Sequence, residues 1–253
     1  MRLTFVSLPV RDVRSAAAHY RDILGLPVTR VEESAHVYAG STRLELREEA
    51  DVPGIHHLAL TIPTGTFPAA KAWVRDRAAL LSAPDGQDEF EASPAWNARS
   101  VYFEGPEHAV LELIERRDLD HDTAGGFTPA DLLGVSEVGI AVPDVRATCR
   151  RLQSAAGIGA YGGEPSDSFA AVGDVHGLLI LVSPGRAWFP TADRGVAVVP
   201  TTVRAVAGRA GAYPLGGLST LHLVESRTDR DGQAEHDGRA EHGRRAEHGE
   251  QDG

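Results

Sequence analysis

The chain has 253 residues, 42% of them hydrophobic and 24% charged, with a formal net charge of −11. That is the balance of an ordinary soluble globular protein long enough to build a real core. Its acidity argues against a nucleic-acid or anionic-membrane partner, no apolar stretch is long enough to span a bilayer, and the single cysteine, Cys149, excludes an intrachain disulfide.

The first segment reads strand, helix, strands. Leu3 to Val10 is rich in Leu, Val and Phe, as a strand should be. Asp12 is a good N-cap for a helix over Arg14–Leu24, and Gly25 is a good C-cap; Ala17, Tyr20, Ile23 and Leu24 fall at helical spacing. Val28–Glu32, Ala35–Ala39 and Thr42–Arg47 follow as short strands, the last two joined by a Gly40-Ser41 turn. The second segment repeats the order, with a strand at His57–Ile62 and a helix over Phe67–Leu81 that carries Pro68 in its first turn. Strands at Ala98–Phe103 and Ala109–Glu115 flank the turn Gly105-Pro106-Glu107.

A third copy begins near Gly134, with a strand at Val138–Val142, the cap Asp144, a helix over Val145–Ala156, and strands at Ala170–Val172 and Leu178–Val182. Val10-Arg11-Asp12-Val13-Arg14 parallels Val142-Pro143-Asp144-Val145-Arg146. Likewise Pro106-Glu107-His108-Ala109-Val110-Leu111 parallels Asp174-Val175-His176-Gly177-Leu178-Leu179. A repeated supersecondary unit buries its face against a neighbour. Val196–Ala207 and Ser219–Val224 read as strands of a degenerate fourth unit. From Glu225 onward apolar residues nearly vanish and Ala-Glu-His recurs every six residues, so a disordered tail is expected. The lone cysteine and the lack of an apolar run in the opening residues give the expectation of a cytoplasmic location. Lys71 is the only lysine, an arginine bias expected of a high-GC bacterial genome.

Three pieces in order carry a family likeness. Leu8-Pro9-Val10-Arg11-Asp12 with Tyr20 and Leu24-Gly25-Leu26 is the first. Gly54-Ile55-His56-His57-Leu58-Ala59-Leu60 is the second, and Gly105-Pro106-Glu107-His108-Ala109-Val110-Leu111-Glu112-Leu113-Ile114-Glu115 is the third. Together they resemble the vicinal-oxygen-chelate superfamily, which includes glyoxalase I, fosfomycin-resistance proteins, bleomycin-binding proteins and extradiol ring-cleaving dioxygenases. The likeness covers roughly residues 3–185. Trp96-Asn97-Ala98, Ser136-Glu137-Val138-Gly139 and Gly185-Arg186-Ala187-Trp188-Phe189-Pro190 resemble a ring-cleaving-dioxygenase-like subgroup. The resemblance implies an α+β fold of tandem βαβββ units forming curved mixed sheets. A first module is expected over 1–120, a second, partly degenerate one over 133–224, and the tail over 225–253.

In this superfamily each unit can offer one metal ligand early in its first strand and one on its last strand. Carried over, those positions are Phe5 and Glu45, His57 and Glu112, Glu137 and Ile180. Phe5 and Ile180 depart from the pattern, and Glu45, with Glu48 and Glu49 after it, also reads as a charged strand end. His57, Glu112 and Glu137 therefore form the expected metal-ligand set. Strand alternation puts Glu112 on the apolar face of Val110 and Ile114, where a lone carboxylate is costly without a cation or hydrogen-bond donors. Taken singly, His57 also fits a hydrogen-bonded structural histidine, and Glu112 and Glu137 fit solvent-facing strand positions. One imidazole and two carboxylates suit a divalent metal, with Fe(II) first and Mn(II), Ni(II) or Zn(II) as alternatives. Three protein ligands leave positions open for water or substrate.

Tyr102 is the candidate catalytic acid, base or hydrogen-bond donor, with packing as the alternative. Trp96, Trp188 and Phe189 fit an aromatic pocket or core packing. Arg186 fits a carboxylate clamp or a loop cap. His108 and His176 read as surface turn residues, and Cys149 as buried packing in a helix. Two functional classes stay open. One is a divalent-metal-dependent enzyme, ring-cleaving-dioxygenase-like and acting on a small oxygenated aromatic substrate, with a glyoxalase-type isomerase or lyase as its alternative. The other is a metal-free small-molecule binding protein of the bleomycin-resistance kind. The expected partner is a small-molecule substrate; units of this fold also pair across chains, which makes a homodimer an expectation.

Overall fold

The computed structural model describes residues 1–121 and 125–225. Except for Glu225, the expected tail with its Ala-Glu-His repeats lies outside the described residues.

The first unit runs β1 (Arg2–Val10), α1 (Val13–Ala18), β2 (Val28–Val31), β3 (Ser34–Ala39) and β4 (Thr42–Glu48). The Asp12 carboxylate accepts from the Ser15 amide at 2.9 Å and starts α1. The helix expected to reach Leu24 widens after Ala18 into a π turn over His19–Ile23, which keeps both Tyr20 and Leu24 buried before Gly25 (φ 63°) reverses the chain. The second unit follows as β5 (His57–Ile62), α2 (Phe67–Arg75), β6 (Leu80–Leu81), β7 (Phe90–Glu91), β8 (Ala98–Glu104) and β9 (Val110–Arg116). The third is β10 (Gly134–Ala141), α3 (Val145–Ala156), β11 (Phe169–Asp174) and β12 (Gly177–Val182). The last strands are β13 (Thr202–Val206), β14 (Gly211–Pro214) and β15 (Thr220–Val224).

Three expectations shift. The helix drawn to Leu81 stops at Arg75, and Leu80–Leu81 instead pairs with Phe103 and Tyr102 at the edge of β8. The strand expected from Val138 starts at Gly134, so Glu137 lies inside it. Val196 is not in β13 but bridges Ile55, which brings the 183–199 segment back over β5.

The fold is α+β, with tandem βαβββ-type units in two curved mixed sheets. The first sheet has the order β14-β15-β13-β1-β4-β3-β2, and the second β11-β12-β10-β5-β9-β8-β6 with β7 on β8. The first unit thus pairs with the last strands, through antiparallel β1 and β13, and the second unit with the third, through antiparallel β5 and β10. Neither sheet stays within one of the stretches 1–120 and 133–224.

Alternation then decides which side chains leave the core. Val6 and Leu8, Leu44 and Leu46, Leu58 and Leu60, Leu111 and Leu113, and Val138 and Ile140 enter one buried cluster with residues of all three helices. His57 and Ala59, Glu112 and Ile114, and Glu137 and Gly139 must face the other way. Val135 and Val138 both point into the core despite their odd spacing. A bulge at Ser136, where the β5–β10 register shifts, absorbs the extra residue and aims Glu137 outward into the cup.

Candidate metal centre

Three adjacent strands, β10, β5 and β9, bring His57, Glu112 and Glu137 together. One donor atom from each lies within 4.8 Å of the other two, and all three residues are buried. His57 Nε2 is 3.7 Å from Glu112 Oε2 and 3.9 Å from Glu137 Oε2. His57 Nδ1 donates to the Val110 carbonyl at 3.0 Å, which orients the ring and points Nε2 at the carboxylates. A backbone partner on one ring nitrogen is how a metal-binding histidine is held. The neighbouring His56 turns the other way, onto the Pro9 carbonyl at 2.7 Å.

The electrostatics follow from burying two carboxylates beside one imidazole. Burial, then the negative charge of Glu137, pushes the Glu112 carboxyl up to about 8. Burial lowers the His57 imidazole, but a hydrogen bond to Glu137 and the charges of both carboxylates outweigh it, and the net shift is upward. Burial, then the charges of Glu112 and Glu137, holds the Tyr102 phenol protonated well above the ordinary tyrosine range. Tyr102 lies directly across β8–β9 from Glu112 and lines the cavity over the three residues.

A cavity of about 290 Å³ opens over His57 and Glu137. Its walls include Trp96, Tyr102, Phe169, Ile180, Trp188 and Phe189, with Arg186 beside them. Trp188 reaches it because its Nε1 donates to the Ile55 carbonyl at 2.7 Å, which stands the indole 5.0 Å from the His57 ring. Gly139 makes room for it, since a Cβ there would lie 2.6 Å from the indole Cζ2. Phe189 packs edge-on to Phe90 and Tyr102, with ring centroids 4.7 and 5.4 Å away, and is still half exposed at the mouth.

A family model described as Glyoxalase/Bleomycin resistance protein/Dioxygenase superfamily matches residues 2–160. The chain belongs to that superfamily. Among solved structures, a Bacillus subtilis protein assigned as a dioxygenase is 13% identical, with a TM-score of 0.58, over 94% of this chain and 96% of its own. Glyoxalase I from Zea mays is 14% identical, with a TM-score of 0.51, over 95% of this chain and 97% of its own. These likenesses show the fold. No curated protein matches the chain. Superfamily members are often metal-dependent enzymes, bind small molecules and often form dimers. Among the described residues no helix is long and apolar enough to cross a membrane.

The superfamily ligand positions come out unequal. His57, Glu112 and Glu137 converge, and Ile180 stands at the fourth position beside them. Glu45 is on the other sheet, where Ser7 Oγ donates to it at 2.6 Å. Phe5 lies there too, between the guanidiniums of Arg43 and Arg204 at 5.0 and 4.7 Å. Arg186 stacks on Phe169 at 4.7 Å and donates to the Ser168 carbonyl at 3.1 Å. His108 is exposed in its turn against Glu104, His176 is also exposed, and Cys149 is buried in α3. Sequence reasoning missed Arg116. It is fully buried, donates from Nη2 to Glu137 Oε1, and donates from Nε to Ser136 Oγ at 2.8 Å. The available signal was parity, because Arg116 shares the strand face of Glu112 and Ile114.

Proposed function

We propose that His57, Glu112 and Glu137 hold a divalent metal ion and that the protein is a metal-dependent enzyme acting on a small oxygenated aromatic molecule. The convergence of the three buried donor groups carries the reading. The residues fit such an ion chemically: one imidazole nitrogen and two carboxylates suit Fe(II) first, then Mn(II), Ni(II) or Zn(II). When bound, the ion would stabilise negative charge developing on two vicinal substrate oxygens. The chain's own residues do the rest. His57, fixed by the Val110 carbonyl, presents Nε2; Glu112 and Glu137 each present one oxygen. Tyr102, kept protonated, donates a hydrogen bond to a substrate oxygen. Trp188, Phe189 and Trp96 take the ring and exclude water. Ring-cleaving dioxygenase chemistry is favoured over isomerase or lyase chemistry by the aromatic walls.

Metal analysis of the purified protein, then anaerobic Fe(II) loading and an oxygen-uptake screen with catechol-type substrates, tests this. His57→Ala is expected to lose both bound ion and turnover. A wild-type protein that takes up no divalent ion ends the proposal. The rival, a metal-free binding protein, draws on Ile180 at the fourth position and on Glu137 being already engaged by Arg116. It predicts tight aromatic-ligand binding that chelator leaves unchanged.

A further inference from the structure

Arg116 is the last residue of β9 and is buried to 0% side-chain exposure. Its Nη2 donates to Glu137 Oε1 and its Nε to Ser136 Oγ at 2.8 Å, while Nη1 is buried with no hydrogen-bond partner. The guanidinium carbon lies 5.6 Å from the Trp96 ring and 5.7 Å from the Tyr161 ring. A buried guanidinium engaging one carboxylate oxygen, with a nitrogen left over, is a costly way to build a core. Stability alone does not account for it, but its position does. It touches the Glu137 oxygen that is not the one nearest His57. Glu137 Oε1 is taken by Arg116, and Oε2 is the oxygen that lies 3.9 Å from His57 Nε2.

Two consequences follow, both resting on the reading that the trio holds a divalent ion. Glu137 has only Oε2 to offer, so it binds through one oxygen and positions around the ion stay open. The charge also changes. Two carboxylates, a neutral imidazole and one guanidinium sum to a single negative charge, which a divalent ion turns into a single positive one. Without Arg116 the loaded cup would be neutral.

We propose that Arg116 is a positioning residue of the cup: it restricts Glu137 to one donor oxygen and leaves the loaded site net positive, so that the exchangeable ligand there is an anion. In a buried site with low effective dielectric, one unit of charge beside the ion weighs heavily on whether an anionic oxygen or a neutral one is held.

Co(II)-loaded protein titrated with azide tests this by visible absorption, without reference to turnover. Wild type should load Co(II) and bind azide. Arg116→Met should still load Co(II), but its azide affinity should fall by about tenfold or more, as expected for losing one charge close to the ion. Arg116→Met combined with Glu137→Gln restores the net positive charge and should recover azide binding. Arg116→Lys keeps the charge and loses the fork, so azide binding should persist while the Co(II) absorption bands shift. Should Arg116→Met fail to fold, the Lys variant still decides, since azide binding lost there with Co(II) retained overturns the charge argument. Unchanged azide affinity in Co(II)-loaded Arg116→Met, or no recovery in a double variant shown to hold Co(II), also overturns it. If wild type itself takes up no Co(II), the metal reading falls first and the inference goes with it.

Discussion

Glu112 sits where a carboxylate on its own would rather be neutral. Its carboxyl is raised from 4.5 to about 8, and His57 is raised as well. Both shifts mean that the folded, metal-free protein holds protons the unfolded chain has released. Its stability should therefore fall as pH rises from about 4.5 through about 8. An ion reverses the sign, because it needs the ionised carboxylate and the free imidazole nitrogen, so its affinity should rise over the same range. Calorimetric melts at pH 6 and 9, with chelator and with Mn(II), should show the gap between the two curves widening at pH 9. Glu112→Gln should flatten the chelated pH dependence, and an unchanged slope would count against this assignment. The three proposed ligands were legible in the sequence because the family resemblance marks their strand positions, and alternation then puts Glu112 on the face of Val110 and Ile114. Arg116 was not, since a charged run after an apolar strand looks like a strand emerging into solvent. Only the return of β10 with Glu137 and Ser136 gives that guanidinium a buried partner.

At the level of elements, capped segments were legible and context-dependent ones were not. Asp144 accepts from the Ala147 amide at 2.8 Å and Gly157 closes α3 at φ 75°, so the helix bounds Val145–Ala156 follow from local chemistry. Leu80 and Leu81 have good helix propensity, yet the open edge of β8 claims them, and no local signal carries that preference. The start of β10 was missed for a similar reason. Gly134 and Ser136 look like loop residues until the bulge shows why small side chains lie there. The contact between β10 and the 183–199 segment gives a prediction at this scale. Gly139→Ala drives a methyl into the Trp188 indole, 2.6 Å from Cζ2, and onto His57 Cβ at 3.2 Å. The expected cost is about 1–3 kcal/mol, as for overpacking elsewhere. In a Trp188→Ala background the same substitution should cost far less, and a double-mutant cycle by chemical denaturation measures the difference. Additive effects would show that the indole does not occupy that space in solution.

The whole molecule makes two cups from four units, and they are not alike. On the second sheet Ala59 pairs with Glu112, Glu137 with Ala59, and Gly139 with Ile180. On the first sheet the same ladder pairs Ser7 with Glu45, Ser7 with Thr202, and Arg204 with His222. The positions matching His57, Glu112, Glu137 and Ile180 are thus Phe5, Glu45, Thr202 and His222. Phe5 and Thr202 are poor ligands, Arg43 and Arg204 flank Phe5 with positive charge, and Glu45 is held by Ser7. Among the described residues only the His57 group brings three such donors together. This asymmetry was half visible in the sequence, which showed Phe5 at a ligand position. The sequence also marked the last strands as a degenerate fourth unit, but not that they pair with β1 of the first unit to complete that cup, since no helix comes with them to show their place in a sheet. The chain should therefore carry one tightly held divalent ion rather than two. The three histidines of the Ala-Glu-His repeats can add weak binding, so the decisive figure is a difference. Metal analysis after dialysis should give one ion per chain more in wild type than in His57→Ala, and Glu45→Gln should match wild type. A loss of metal in Glu45→Gln would mean that the first sheet also holds an ion.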